Sequence, residues 1–358
     1  MRFEPSTIDH LGLRLYSTLP PVISELVSNA WDAEAEEVDV QIPKGQITPP
    51  SEVVIRDYGL GMSPQELADE YLPIGRLRRG SDETRVMSKN GKRRVTGRKG
   101  LGKLSAFGVA SEIEVRSIQN GIAVCLRLDY EKIKAWAKNH AKDDAYAPDI
   151  IHEKTGPTKD HDGLTVTLRH LHRKSPMNPD DVRKGLARRL NMIGREFTVK
   201  VNSVPIGPGD HVSRDECEKN FSWDIDSIPS NGQIGNGLNI TGWIGFLPSS
   251  SQANRGIDIF AYDKAVELGS FFNYPSTHVQ FARAHLVGEI HANFLDETED
   301  LASTARNSVV WETEIGQLLQ TWGNNVLKWA FNEWVNLRKK KKEEAVIKVA
   351  GFDKWLAT

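Results

Sequence analysis

Residues 25–33 read Glu-Leu-Val-Ser-Asn-Ala-Trp-Asp-Ala, inside the longer run PPVISELVSNAWDAE at 20–34. Val22, Ile23, Leu26, Val27 and Ala30 recur at helical spacing, which predicts a helix over 20–34. Pro20 and Pro21 suit its first turn, where a missing N–H costs nothing. On that helix Glu25, Asn29 and Asp32 fall at i, i+4 and i+7 and share one face. A carboxylate, an amide and a second carboxylate therefore project together beside the apolar positions. A solvated polar face is the ordinary explanation of such spacing, so the neighbouring segments must decide.

Those neighbours begin with two strand-like runs. Val38, Val40 and Ile42 alternate with polar residues over 36–42, and SEVVIRD at 51–57 is a second run. The second ends in Asp57-Tyr58-Gly59-Leu60-Gly61-Met62. An aspartate at a strand end can accept a hydrogen bond from an exocyclic amine, and Gly59 and Gly61 let a flat ring approach the backbone closely. A turn closing a strand explains the same residues. A helix is expected from about Ser63, with Pro64 in its first position.

Residues 75–99, GRLRRGSDETRVMSKNGKRRVTGRK, are rich in charge and glycine and nearly free of large apolar side chains. A loop of that length is usually functional or disordered. Its cations Arg76, Arg78, Arg79, Lys92, Arg93 and Arg94 read as a solvated surface, with Arg98 and Lys99 set apart as candidates to touch phosphate. Thr96-Gly97-Arg98-Lys99-Gly100-Leu101-Gly102-Lys103-Leu104-Ser105 leads from that loop into a helix. Glycines there can turn backbone N–H groups toward an anion at the helix N-terminus, a geometry that favours phosphate. The spacing is neither GxxxxGK[ST] nor a dinucleotide fingerprint after the first strand of a βαβ unit.

Strands are expected at 112–118, 122–129 and 163–170, with a polar loop over 137–162. A second domain is expected from about 172: a helix at 179–194, the run FTVKVNSVPI, strands at 237–246, 256–262 and 285–291, and the loop DETEDLASTARNS. A long helix from 312 to about 346 carries Ile315, Leu318, Leu319, Trp322, Val326, Trp329, Ala330, Trp334 and Leu337. That stripe reads as core packing ahead of a dimer surface. The following RKKKK at 338–342 reads as a charged helix end or a weak nucleic-acid contact. His170 and His172 could share a strand face, but without a third ligand they read as exposed rather than metal-binding.

Composition narrows the class. The 358 residues carry a formal net charge of −2, with 39% hydrophobic and 26% charged residues, as in an ordinary globular protein that buries a real core. Cys125 and Cys217 are too few and too far apart for a zinc ribbon or disulfide framework, and they fit a reducing cytoplasm. The N-terminus lacks the apolar region of a secretory signal, and no apolar run is long enough to span a membrane. The expected location is therefore cytoplasmic.

The order of the segments carries more than any one of them: E-x3-N-x2-D on a helix, DxGxG after a strand, a long charged loop, then GRKGLGK opening a helix. In that order they resemble the GHKL ATPases, which include the gyrase B subunit, the ninety-kilodalton heat-shock chaperones, histidine kinases and MutL. ELVSNAWDA, VIRDYGLGM and GRKGLGKLSAF are more similar to the MORC-type branch and its bacterial Hsp90-like relatives. The resemblance covers residues of about 8–170, a domain-sized unit. It implies an α+β protein with a Bergerat-type ATP-binding sandwich, helices on a mixed sheet, over 1–171 and a lid at 75–99. A transducer-like β-α-β domain over 172–311 and a C-terminal helical segment over 312–358 complete the expectation.

The same resemblance implies roles. Glu25 matches the general base and Asn29 the Mg²⁺ ligand, through its amide oxygen. A single protein ligand suits an ion that keeps most of its waters and phosphate oxygens. Asp57 matches the residue that reads the adenine amine. Gly59, Gly61 and Met62 match the close contact and apolar wall of the ring. Gly97, Arg98, Lys99, Gly100, Leu101, Gly102, Lys103 and Leu104 match the phosphate-cradling stretch, and Asp32 a supporting position behind the site. The family's last strand usually carries Gly-Thr, whereas this chain has Gly163-Leu164-Thr165-Val166. Either Thr165 serves after a local shift or that adenine contact is absent. A transducer cation reaching the γ-phosphate would be Arg306, with Lys264 as second choice. A surface arginine that caps a helix or pairs with an acid is the alternative for Arg306.

The implied activity is slow, Mg²⁺-dependent ATP hydrolysis. It would drive lid closure and an ATP-dependent homodimer, with residues 1–10 able to exchange between protomers. The switch would act as a clamp on DNA or with a separate effector protein, in genome maintenance or antiphage defence. The alternative is a nucleic-acid-binding or chaperone-like module that uses ATP as a structural ligand. A histidine kinase is disfavoured because Glu25 lies too near the start for an upstream phosphoacceptor helix pair, and no strand-cleaving tyrosine domain or nuclease constellation is evident.

Overall fold

The computed structural model describes residues 18–72, 86–97, 102–139, 146–218, 222–224, 234–235, 237–251, 254–275, 280–297, 301 and 308–356. The exchangeable segment 1–10 lies outside these. The chain forms two compact units, Met1–His211 and Val212–Thr358.

In the first unit, α1 (Leu19–Asp32) begins at the two prolines and buries Val22, Ile23, Leu26, Val27 and Ala30. Each of the larger aliphatic side chains contributes about 1.5–3 kcal/mol when fully removed from water. β1 (Glu37–Gln41) and β2 (Val53–Asp57) follow as an antiparallel pair. β3 (Ala110–Gln119) and β4 (Ile122–Asp129) form a second pair, and α2 (Tyr130–Asn139) comes next. Two short strands, β5 (Asp149–Ile150) and β6 (Gly156–Pro157), border β4 inside the stretch expected to be loop. β7 (Gly163–Leu171) is inserted between β2 and β3, antiparallel to both.

The sequence places a domain boundary near 172, and the compact unit runs further. α3 (Pro179–Ala187) packs on α1, and β8 (Thr198–Val201) pairs in parallel with β1 before turning into β9 (Val204–Pro205). Pairing β8 with β1 makes the sheet mixed and draws the first unit out to His211. The described sheet order is β5-β4-β3-β7-β2-β1-β8-β9, with β6 beside β4. Val53, Ile55, Ile113, Val115, Val166 and Leu168 join the helices in one core, while Arg56, Glu114, Thr165 and Arg169 alternate with them onto the other face. There Arg169 donates to Glu52 and Glu114 and lies within ion-pair distance of Glu112.

The second unit has its own sheet, ordered β10 (Ser222–Asp224), β11 (Thr241–Phe246), β14 (Leu286–His291), β12 (Gly256–Ala261) and β13 (Lys264–Ser270). β12 and β14 are parallel and the other neighbours antiparallel. The short α4 (Gln280–His285) precedes β14, and α5 (Glu314–Leu356) is the long C-terminal helix. Leu319, Trp322, Val326, Leu327, Phe331 and Trp334 of α5 are core, and Phe246 stacks on Trp334 at 5.0 Å. The stripe expected on this helix therefore packs inward. From 338 to 347 α5 is exposed. The molecule is thus α+β, a mixed sheet with helices followed by a second α+β unit and a long C-terminal helix.

Candidate functional site

β2 delivers Asp57 to the core side of the first sheet, where its carboxylate is buried. Its Oδ1 accepts from the backbone N–H of Gly59 at 3.0 Å and of Leu164 at 3.1 Å. No described residue hydrogen-bonds Oδ2. Burial raises its pKa from 3.8 to about 6, against the lowering effect of the two N–H groups and of Arg56. The backbone around it is crowded. Gly61 has φ +61°, and a Cβ there would overlap the carbonyl oxygen of Ile118. A Cβ on Gly163 would overlap the carbonyl of Asp57 itself. Leu60 donates to the Ala33 carbonyl at 3.0 Å, which ties the DYGLG turn to the end of α1.

Ser117 completes this wall, and the sequence does not single it out. Its hydroxyl accepts from the Met62 N–H at 2.7 Å and donates to the Met62 carbonyl at 3.0 Å, fixing Met62 beside the turn. The available signal in ASEIEVRSIQ is a serine that continues the alternate positions of Ile113 and Val115. Thr165 does not join this group. The register sets it opposite Arg56 and Arg116 on the far face of the sheet from Asp57. The backbone N–H of its neighbour Leu164 is what reaches the aspartate. Of the two alternatives in the sequence, the geometry matches an absent Thr165 contact.

On α1, Glu25 and Asn29 are half-buried. The Asn29 amide hydrogen-bonds no described residue. Asp32 turns to the segment that leads into the glycine-rich stretch: Oδ1 accepts from the Thr96 N–H at 2.7 Å and hydroxyl at 3.0 Å, and Oδ2 from the Gly97 N–H at 3.0 Å. The Ser28 and Thr96 hydroxyls meet at 2.5 Å.

The described part of the expected lid, 86–97, is a hairpin pinned along α1, with Met87 bridged to Arg94. The Arg93 guanidinium lies 4.2 Å from the Trp31 ring centroid and donates to the Ala35 carbonyl at 2.5 Å. The Trp31 indole donates to the Arg94 carbonyl at 3.2 Å. Asn90 donates twice to Glu34, and Lys89 pairs with Glu66. Arg93 is thus a structural contact and not the solvated cation its composition suggests.

The helix expected after this loop is only a 3-10 helix, Gly102–Gly108, which takes in Gly102, Lys103 and Leu104 and runs straight into β3. Arg98, Lys99, Gly100, Leu101 and Arg306 lie outside the described residues, as do 75–85. Lys264 is buried at the start of β13 in the second unit. His172 contacts the Ser111 hydroxyl and the Gly108 carbonyl, and His170 is exposed. Among the described residues no group of three or more His, Cys, Asp and Glu side chains could hold a metal, and no helix is long and apolar enough to cross a membrane. The amide oxygen of Asn29, with Glu25 one turn away, is a donor set that suits a mostly hydrated hard cation.

Known sequences align with this arrangement. The profile of the family described as histidine kinase-, DNA gyrase B-, and HSP90-like ATPase matches residues 16–158. A putative type II restriction enzyme, HgiDII, of Herpetosiphon aurantiacus is 28% identical over 96% of this chain. The mitochondrial 75 kDa heat shock protein of Rattus norvegicus is 32% identical over 31% of it. The chain spans 58% of the first relative and 17% of the second. The matched residues include α1, the Asp57 turn and the 3-10 helix Gly102–Gly108. Over residues 16–158 the chain is thus similar to the histidine kinase-, DNA gyrase B- and HSP90-like ATPases.

Proposed function

We propose that the first unit binds ATP with Mg²⁺ and hydrolyses it slowly. The observation that carries this is Asp57. A buried carboxylate with one oxygen saturated by two backbone N–H groups and no described partner on the other is set to accept the amine of adenine. Gly59 and Gly61 let the turn pack closely beside Asp57, and Met62, held by Ser117, would form the apolar wall of the ring. Asn29 would hold Mg²⁺, which neutralises phosphate charge when bound. The backbone of Gly97–Lys103 would receive the phosphates. Glu25 then takes the proton of a water whose oxygen attacks the γ-phosphorus, while the bond to the bridging oxygen of ADP breaks.

The finer reading is a switch in which bound ATP drives lid closure and pairing of two protomers, acting on DNA. The restriction-enzyme relative favours DNA, as does the exposed basic run Arg338–Lys342 on α5. Sizing in solution with and without a non-hydrolysable ATP analogue, and with duplex DNA added, tests both parts. The analogue is expected to convert monomer to dimer, and DNA to co-migrate with the dimer in a salt-sensitive way. A monomer in both nucleotide states removes the gating, and no DNA association at low salt removes the DNA reading.

A further inference from the structure

Behind the nucleotide-facing residues lies a chain of three polar side chains whose hydrogen-bond directions are fixed by chemistry. Asp32 as a carboxylate can only accept. The single hydroxyl proton of Thr96 is therefore directed at Asp32 Oδ1, 3.0 Å away. The Ser28 hydroxyl, 2.5 Å from the Thr96 oxygen, must then be the donor in that contact. The order is Ser28 to Thr96 to Asp32. The same carboxylate also takes the backbone N–H groups of Thr96 and Gly97. Ser28 and Thr96 are both buried, and the three residues join segments 64–68 positions apart in sequence.

We propose that Thr96 is a positioning residue. The Ser28–Thr96–Asp32 relay sets the start of the phosphate-receiving stretch against the helix face that carries Glu25 and Asn29. Ser28 is the residue directly before Asn29, and Gly97 is the first residue of the glycine-rich stretch, so the relay spans the short path between the metal-holding amide and the phosphate-holding backbone. Because its hydroxyl is committed in both directions, Thr96 serves the site through its neighbours and touches no ligand itself. The Asp57 carboxylate is fixed separately, by the N–H groups of Gly59 and Leu164, and shares no hydrogen bond with the relay. The relay should therefore govern recognition of the metal-bound phosphates and leave recognition of the adenine alone. This inference rests on the ATP reading of the site.

The test compares Thr96→Val, Thr96→Ser and Ser28→Ala with the unaltered protein, using adenosine and a non-hydrolysable MgATP analogue as separate probes. Thr96→Val is expected to weaken the MgATP analogue about tenfold and to raise the Mg²⁺ concentration needed for half-saturation, as suits the loss of both hydroxyl hydrogen bonds in a binding path. Adenosine affinity should stay within about twofold, and Thr96→Ser should restore the wild-type values. Ser28→Ala, which leaves the Asp32 contacts in place, gives the same selective loss in smaller measure and serves if Thr96→Val fails to fold. Equal weakening of both probes, or no change in either, overturns the relay. If the unaltered protein binds adenosine but not MgATP, or neither, the nucleotide reading itself falls and the relay's role goes with it.

Discussion

Replacing Glu25 by alanine is expected to leave ATP binding within about twofold while lowering hydrolysis a hundredfold or more, the usual contribution of a positioned general base. Glu25 lies one helical turn before Asn29 on α1, half-buried at the edge of the core. The hydrogen bonds that fix the Asp57 turn, and those of Asp32 to Thr96 and Gly97, run between other residues. Removing the Glu25 carboxylate therefore takes away a proton acceptor and leaves the adenine pocket and the phosphate-receiving backbone in place. Single-turnover hydrolysis beside equilibrium binding checks this. A variant that binds and still turns over at the wild-type rate assigns the base elsewhere.

Asp57→Asn is expected to move stability and affinity in opposite directions. The ordinary pKa of 3.8 is raised in the fold to about 6, chiefly because burial penalises the charged form. A raised carboxyl pKa favours the fold in its protonated form. That stability is fully present below about 3.8 and is lost as pH rises through about 6. At neutral pH the folded protein therefore carries a buried charge at a cost of about 2–3 kcal/mol. Asparagine removes the charge and keeps an oxygen to accept from Gly59 and Leu164, so the variant should be about 1–3 kcal/mol more stable at pH 7.5, with the gain shrinking at pH 5. Its amide would turn donors toward the adenine amine, and ATP affinity should fall about a hundredfold. In the unaltered protein, ATP affinity should weaken as pH drops below about 6, because the protonated carboxyl loses acceptor capacity. Denaturant unfolding and nucleotide titration at both pH values check the pair of effects. A variant that is less stable at pH 7.5 and binds ATP normally contradicts the role assigned to Asp57.

The site's skeleton was legible because it is local. The repeat of Val22, Ile23, Leu26, Val27 and Ala30 sets α1, and helical geometry alone then places Glu25, Asn29 and Asp32 on a common side. Asp57 and its glycines follow from a strand that stops abruptly. The rest was hidden in long-range pairing. The 86–97 hairpin looks like solvated loop because its apolar content is low. It is held by the Trp31 ring, Glu34 and Asp32, all more than fifty residues away. β8 is four residues long, and nothing in Thr198–Val201 says that its partner is β1 and not a later strand. Thr165 was placed near the nucleotide by motif order, whereas strand alternation turns it to the opposite face.

The most direct measurement is calorimetric titration of the unaltered protein with a non-hydrolysable ATP analogue, in the presence of Mg²⁺ and again with the metal chelated. The account predicts one saturable site per chain, competition by adenosine, much weaker binding without Mg²⁺, and no comparable binding of a guanine nucleotide, whose ring presents a carbonyl to Asp57 where adenine presents an amine. Absence of saturable binding at millimolar analogue, or equal binding of adenine and guanine nucleotides, would contradict it.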